Sequence, residues 1–335
     1  MLDGPCEGYD TTTVHGEYVT YGLSDEEIKE RVKAFSPDVV GVTHPFSYLE
    51  KHIYGLCKLI KSIDKNIFTV AGGVHPSFSA EEMLRKCKEL DCIVIGEGEE
   101  RLLKLLDALK SDKSLGSLGG IAFRENKNII VNSGATFIQD LDTVPFPARH
   151  LIDMEKYIKI NKPANPFLKK ERAERIFTSR GCPFRCCFCG GQRFWKNIRM
   201  RSADNVIGEM RLLKEKHNIQ EIQFSDDNLT VDRKRALEIF AKMKEFEFVW
   251  CTPSGVMVNT LDEKMIKEMS ASGCYQVTIS PESGSQRVLR DIINKPLDLK
   301  SVKPMVDILH KYNINVHSNF ILGLPGETLE ELLQT

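Results

Sequence analysis

No stretch of the 335 residues approaches the roughly 18 to 20 continuous apolar positions that a membrane-spanning helix needs. The opening residues, MLDGPCEGYD, carry neither a positive flank nor an apolar run, so no leader is read there and a cytoplasmic protein is expected. An excess of one charge is also missing. The 46 Lys and Arg against 47 Asp and Glu leave a formal −1, which excludes a broad basic surface for nucleic acid. No G-x-G-x-x-G follows a strand-like run, so the dinucleotide fingerprint is absent. The histidines stand singly, without metal-ligand spacing, and read as surface or satisfied core residues; His44 and His75 differ only in following strand ends. What is left is an ordinary globular composition in a chain long enough for two domains.

Cysteine is sparse except in one place. Cys6, Cys57, Cys87, Cys92, Cys251 and Cys274 are isolated in apolar or helical contexts and read as packing residues. The other four fall inside GCPFRCCFCGG, residues 181–191. In a reducing compartment such a cluster holds a metal or an iron–sulfur core more readily than disulfides. Cys182, Cys186 and Cys189 are spaced C-x3-C-x2-C in a loop after the strand-like RIFTS, with Gly181, Pro183 and Gly190 allowing the loop to wrap. Three thiolates suit a 4Fe-4S cluster with one iron left open. Structural zinc would want a fourth ligand, for which Cys187 is the nominal candidate.

The chain has two rhythms. From residue 37, DVVGVTHPF, IFTVAGG and DCIVIGEGE read as strands. They alternate with helices in YLEKHIYGLCKLIKSI, in SAEEMLRKCKEL (opened by Ser79 as N-cap) and in EERLLKLLDALKS. That series predicts a doubly wound parallel sheet, followed by a small β element, GIAFREN and KNIIVNS. Pro145 and Pro147 mark a connector. The predicted organisation is a first domain over 1–140, a linker over 141–170 and a second domain over 171–335. The second domain repeats strand then helix five times, the signature of a (β/α) barrel with its chemistry in the loops after the strands.

GCPFRCCFC, with Phe188 before the last cysteine, resembles the cluster loop of the radical S-adenosylmethionine (SAM) superfamily. The resemblance implies that the open iron is chelated by the amino and carboxylate groups of SAM. Reduction then cleaves SAM to a 5′-deoxyadenosyl radical. It continues through FSDDN, where Asp226 and Asp227 are implied SAM contacts although they and Asn228 also suit the cap of the next helix. PESGS, with Glu282 and Ser283, and FILGLPGET, with Gly323 and Gly326, resemble the fourth- and fifth-strand SAM motifs; Glu327 also reads as a cap. Cys187 is read as an extra residue, not a ligand.

The first half resembles the cobalamin-binding fold: FSYL with Ser47 and Leu49 in an S-x-L pattern, AGG with Gly72 and Gly73, and His75 just beyond. The D-x-H-x-x-G loop of some cobalamin proteins is missing; DGPCEG has Pro5 where the histidine would stand. Together these imply an α/β chain in which a Rossmann-like cobalamin-binding domain precedes a partial radical SAM barrel, incomplete at both ends relative to the family. The implied cofactors are a 4Fe-4S cluster, SAM and cobalamin. The implied activity is methyl transfer to an unactivated carbon of a small-molecule or natural-product substrate, with an external one-electron reductant such as flavodoxin or ferredoxin. The alternatives are a cobalamin-free radical SAM enzyme, of methylthiotransferase or cyclase type, and an inactive cluster-binding fragment. Against the methylthiotransferase stands the lack of a second cysteine triad.

Overall fold

The computed structural model describes residues 1–43, 46–161 and 168–335. The chain divides into two compact units, Met1–Gln139 and Asp140–Thr335.

In the first unit, strands Val39–Thr43, Phe68–Gly72 and Cys92–Val94 run parallel, in that order. Their near-continuous apolar sequence follows from cover on both faces. Val70, Cys92 and Val94 turn to one side, against Leu105 of helix Glu99–Lys110. Ala71 and Ile93 turn to the other, against Ile53 and Cys57 of helix Glu50–Ile63 and Met83 and Leu84 of helix Ala80–Lys86. The expected all-parallel sheet is in fact mixed. The hairpin Ile121–Glu125 and Asn128–Val131 joins antiparallel to Cys92–Val94, because its own alternation offers Ile121 and Phe123 to one cluster and Ala122 to the other. Ser79 does precede helix Ala80–Lys86, but its hydroxyl makes no capping bond; only its carbonyl accepts, from Met83 N–H at 2.8 Å.

The segment expected as a linker begins as part of the second unit. Residues 140–161 form two short turns and the helix Met154–Ile160, capped by Asp153. Arg149 pins them down, donating to Glu174 at 3.0 Å and to the buried Glu209 at 2.7 Å.

Five strands follow, Ala173–Ile176, Glu221–Phe224, Val249–Thr252, Cys274–Glu282 and Asn315–Phe320, all parallel and in chain order. Helices Ala203–His217, Arg233–Met243, Glu263–Ala271 and Val302–Lys311 connect them in turn, and Leu329–Gln334 comes last. Ile176, Ile222, Phe224, Trp250, Val277 and Ile279 meet the helices in one apolar cluster. Trp250 lies edge-on to Phe224 and stacked on Phe240, and its indole N–H donates to the Ser272 carbonyl at 3.0 Å.

A polar group anchors the same sheet. Glu221 is fully buried. One carboxylate oxygen accepts from the backbone N–H groups of Lys169 and Lys170, both at 2.8 Å; the other accepts from Tyr275 Oη at 2.8 Å and Gln223 Nε2 at 3.2 Å. A register shift at Trp250/Cys251 leaves Tyr275 out of the ladder with the third strand, and its hydroxyl is shared between Glu221 and Cys251. Replacing Glu221 by Ala orphans four donors. A loss of about 2–4 kcal/mol is expected, read as a lower urea midpoint at unchanged slope; a cost below roughly 0.5 kcal/mol, the level of an ordinary surface change, would contradict it.

Candidate functional site

The cysteine loop is closed by a two-residue bridge, Ser179–Arg180 pairing antiparallel with Arg199–Met200. Gly181 opens it at φ +88°, and a Cβ there would meet Asn197 O at 2.8 Å and Trp195 Cβ at 3.0 Å. Only glycine takes both the conformation and the space. A turn bonded from Cys189 N–H to Cys186 O, 3.0 Å, then leads into the short helix Gly190–Trp195. Cys182, Cys186 and Cys189 are half-buried, whereas Cys187 is exposed and donates its N–H to Ile293 O at 2.8 Å. Phe188 is exposed as well.

Burial pushes the Cys182 thiol above its usual pKa, with Asp227, Cys186 and Cys189 adding to the effect. Burial raises Cys186 too; Lys295 opposes it, and Cys189 and Glu282 reinforce it. The three thiols therefore share one electrostatic neighbourhood. Among the described residues, no three His, Cys, Asp or Glu side chains converge on a single metal point. A 4Fe-4S core takes each thiolate on a different iron and asks for no single shared point. The loop suits the cluster.

The two aspartates of FSDDN separate. Asp226, fully buried, accepts from Thr178 N–H, from Thr178 Oγ1 at 2.7 Å and from Ser179 Oγ, holding the backbone that feeds the cysteine loop. Desolvation nevertheless keeps its pKa above the ordinary aspartate value. Asp227 opens to solvent beside Gly191: a methyl group added at Gly191 would lie 3.5 Å from Cys189 Sγ and 3.6 Å from Asp227 Oδ2. Crowding around its carboxylate and the charge of Asp226 raise its pKa. Neither aspartate caps the next helix; Asp232 does.

The other sequence-predicted SAM residues surround the same end of the sheet. Glu282, at the end of the fourth strand, is buried at φ +69° and bonded to Lys295 Nζ at 2.9 Å. Ser283 is fully buried, its hydroxyl accepting from Ser285 N–H at 3.1 Å. Gly323 and Gly326 follow the fifth strand at φ +79° and +88°. Glu327 accepts from the N–H groups of Gly323 and Leu324 at 2.7 and 3.1 Å, so it caps a loop where a helix cap was the alternative. The sequence reading missed Lys295, which no spacing rule singles out, and Thr178 and Ser179, whose only signal is their place before the glycine.

In the first unit, the S-x-L residues form the turn Ser47–Leu49, with Phe46 and Tyr48 exposed and stacked at 5.7 Å. Gly41 and Thr43 leave one face of the edge strand open, and Gly72 and Gly73 put no side chain at the next strand end, Gly73 at φ +110°. These positions leave that edge of the sheet sparsely covered. His75 does not face it through Nε2: the side chain is buried and bonds Glu50 at 2.8 Å. His44 lies outside the described residues.

An α/β unit ahead of a parallel barrel sheet, with three half-buried thiols in the loop after the first strand, defines an iron–sulfur barrel enzyme with a second cofactor domain. Residues 176–335 match the Radical SAM superfamily and residues 7–106 the B12 binding domain. Cytidylyl-2-hydroxyethylphosphonate methyltransferase of Streptomyces wedmorensis is 33% identical over 99% of this chain and 68% of its own length. Anaerobic magnesium-protoporphyrin IX monomethyl ester cyclase of Rubrivivax gelatinosus is 28% identical over 98% and 58%. The solved structure of TsrM from Kitasatospora setae, with cobalamin and a [4Fe-4S] cluster bound, has the same fold (TM-score 0.71, 16% identity, 91% of this chain and 61% of that one). The chain thus spans about two thirds of the first relative and less of the other two. It belongs to the radical SAM superfamily, in the branch that carries a B12 binding domain and includes methyltransferases. The two matched models are those of a radical SAM domain and of a B12 binding domain, the domain types that use SAM and cobalamin. No helix among the described residues is long and apolar enough to cross a membrane.

The split between the two aspartates is measurable. Asp226→Ala removes the acceptor of three buried donors and should lower the melting temperature of the second unit by roughly 5–10 °C. Asp227→Ala, which relieves like-charge repulsion, should leave it within about 2 °C. Equal melting temperatures for the two variants would refute the division of labour.

Proposed function

We propose that the protein is a cobalamin-dependent radical SAM methyltransferase acting on an unactivated carbon of a small-molecule substrate, working in the cytoplasm with an external one-electron donor such as flavodoxin or ferredoxin. The observation that carries this is the loop in which Cys182, Cys186 and Cys189 stand half-buried in one electrostatic neighbourhood while Cys187 is exposed. When bound, the cluster supplies the electron that cleaves SAM to its radical, and cobalamin supplies methyl-carrying capacity.

The chain's own residues then have separable tasks. Cys182, Cys186 and Cys189 would hold the cluster through three of its irons. Asp227, solvent-facing beside the cysteine loop, would accept from the SAM ammonium, a reading its exposure and its nearness to Gly191 support. Phe188 belongs to the same loop, and Gly323 and Gly326 give the last motif its close backbone approach. Ser47, Leu49, Gly72 and Gly73 would hold the nucleotide tail of cobalamin. His75 supports the wall through Glu50, which also receives Lys86 at 3.2 Å. The cobalamin-free alternative is not favoured by a chain whose first unit keeps the B12 binding domain.

The test is anaerobic reconstitution with iron, sulfide and hydroxocobalamin. About four irons per chain, an EPR signal that shifts on adding SAM, and near-stoichiometric cobalt after gel filtration are expected. Alanine at Cys182, Cys186 or Cys189 should abolish SAM cleavage, while Cys187→Ala should keep it. Iron without cobalt would overturn the cobalamin half, and cluster loss only in the Cys187 variant would overturn the ligand assignment.

A further inference from the structure

The segment after the fourth strand is unusual. Arg287 leads into a wide π-type turn, Val288–Ile293, that ends at Asn294 in the left-handed region, φ +61°. Such turns are rare and cluster at functional sites. Its end is tied to the cysteine loop twice, by Cys187 N–H to Ile293 O at 2.8 Å and by Asn294 Nδ2 to Arg185 O at 3.3 Å. The next residue is Lys295, held by its own N–H to Leu289 O at 2.9 Å. Its ammonium turns inward to Glu282, and the side chains of this pair are 6% and 8% exposed. The nearby arginines are engaged elsewhere, Arg287 with Glu331 and Arg290 with Asp291.

A buried ion pair is costly to form and gives little net stability, so a role beyond stability is the better question to ask of it. Glu282 adds to the cost by adopting a backbone conformation that non-glycine residues avoid. The hydrogen bonds linking Ile293 and Asn294 to Cys187 and Arg185 set this buried pair beside Cys186, which lies between those two loop residues and feels both charges, Lys295 favouring the thiolate and Glu282 opposing it. Asp227 acts on Cys182. Cys186 and Cys189 add their own repulsion. Once the three cysteines bind as thiolates they would add negative charge to that of the carboxylates, and Lys295 is the buried cation beside them.

We infer that Lys295 is the counter-cation of the cysteine loop and, in opposition to Glu282, sets how readily a cluster held there takes up one electron. The inference rests on the cluster assignment proposed above. The step is a one-electron transfer from the external donor to the cluster, with no bond made or broken in the protein. Added negative charge is stabilised by a nearby cation and destabilised by a nearby carboxylate, more strongly in a buried site than in water. Lys295 is a positioning residue and does not touch the reacting atoms.

The experiment is a potentiometric EPR titration of the reconstituted full chain with dithionite. Lys295→Gln should move the cluster midpoint to more negative potential, Glu282→Gln to less negative potential, and Lys295→Arg should stay near wild type. A merely structural pair would give shifts of the same sign or none, and either result overturns the inference. Should Lys295→Gln lose its iron altogether, retention in Lys295→Arg supports the counter-cation, and equal loss in both overturns it. Failure of the wild-type chain to take up iron would instead sink the cluster assignment itself.

Discussion

The mouth of the barrel depends on one buried carboxylate. Asp226, on the second strand's exit loop, accepts from the backbone and hydroxyl of Thr178 and from the hydroxyl of Ser179, on the first strand's exit. These bonds fix the direction in which the chain leaves the first strand. Gly181 can then enter the left-handed region against Asn197 and Trp195, and the cysteines follow from that turn. A carboxylate at this depth is costly, and its raised pKa records the desolvation; three hydrogen-bond donor groups offset it. The same device recurs below, where Glu221 gathers four donors from three separate parts of the chain.

With the loop held, the charges around it fall into an order. Cys182 and Cys186 are raised by burial, Asp227 is exposed to solvent, and the Glu282–Lys295 pair is buried. The acidic turn and the fourth-strand motif are thus neighbours of the thiols although at least 37 positions separate them from Cys189 in sequence (226 minus 189). A parallel barrel sheet brings this about because every strand delivers its exit loop to the same end.

The sequence shows some of this plainly and hides the rest. Apolar runs broken by helical periods place all five barrel strands, because Ile222, Phe224, Trp250 and Val277 must face helices. The cysteine spacing is local and needs no tertiary knowledge. The antiparallel hairpin at 121–131 joins the main sheet through pairing that strand composition does not encode, so its destination is invisible beforehand. The roles of Asp226 and Asp227 are likewise open in sequence, since adjacent aspartates differ only once Thr178 claims one of them. Lys295 is hidden for a further reason: a lysine beside asparagine and proline reads as an exposed turn, and only the fold turns it toward Glu282. His75 follows a strand end as a cofactor ligand would, but Glu50, one helix away, takes its Nε2.

The central claim is that three cysteines hold three irons and leave one for SAM. Mössbauer spectroscopy of the chain reconstituted with isotopically enriched iron tests it most directly, with spectra taken before and after SAM is added. The account predicts that about one quarter of the iron signal changes on adding SAM while the rest keeps its parameters. Four equivalent irons that ignore SAM, the pattern of a fully thiolate-ligated cluster, would contradict it.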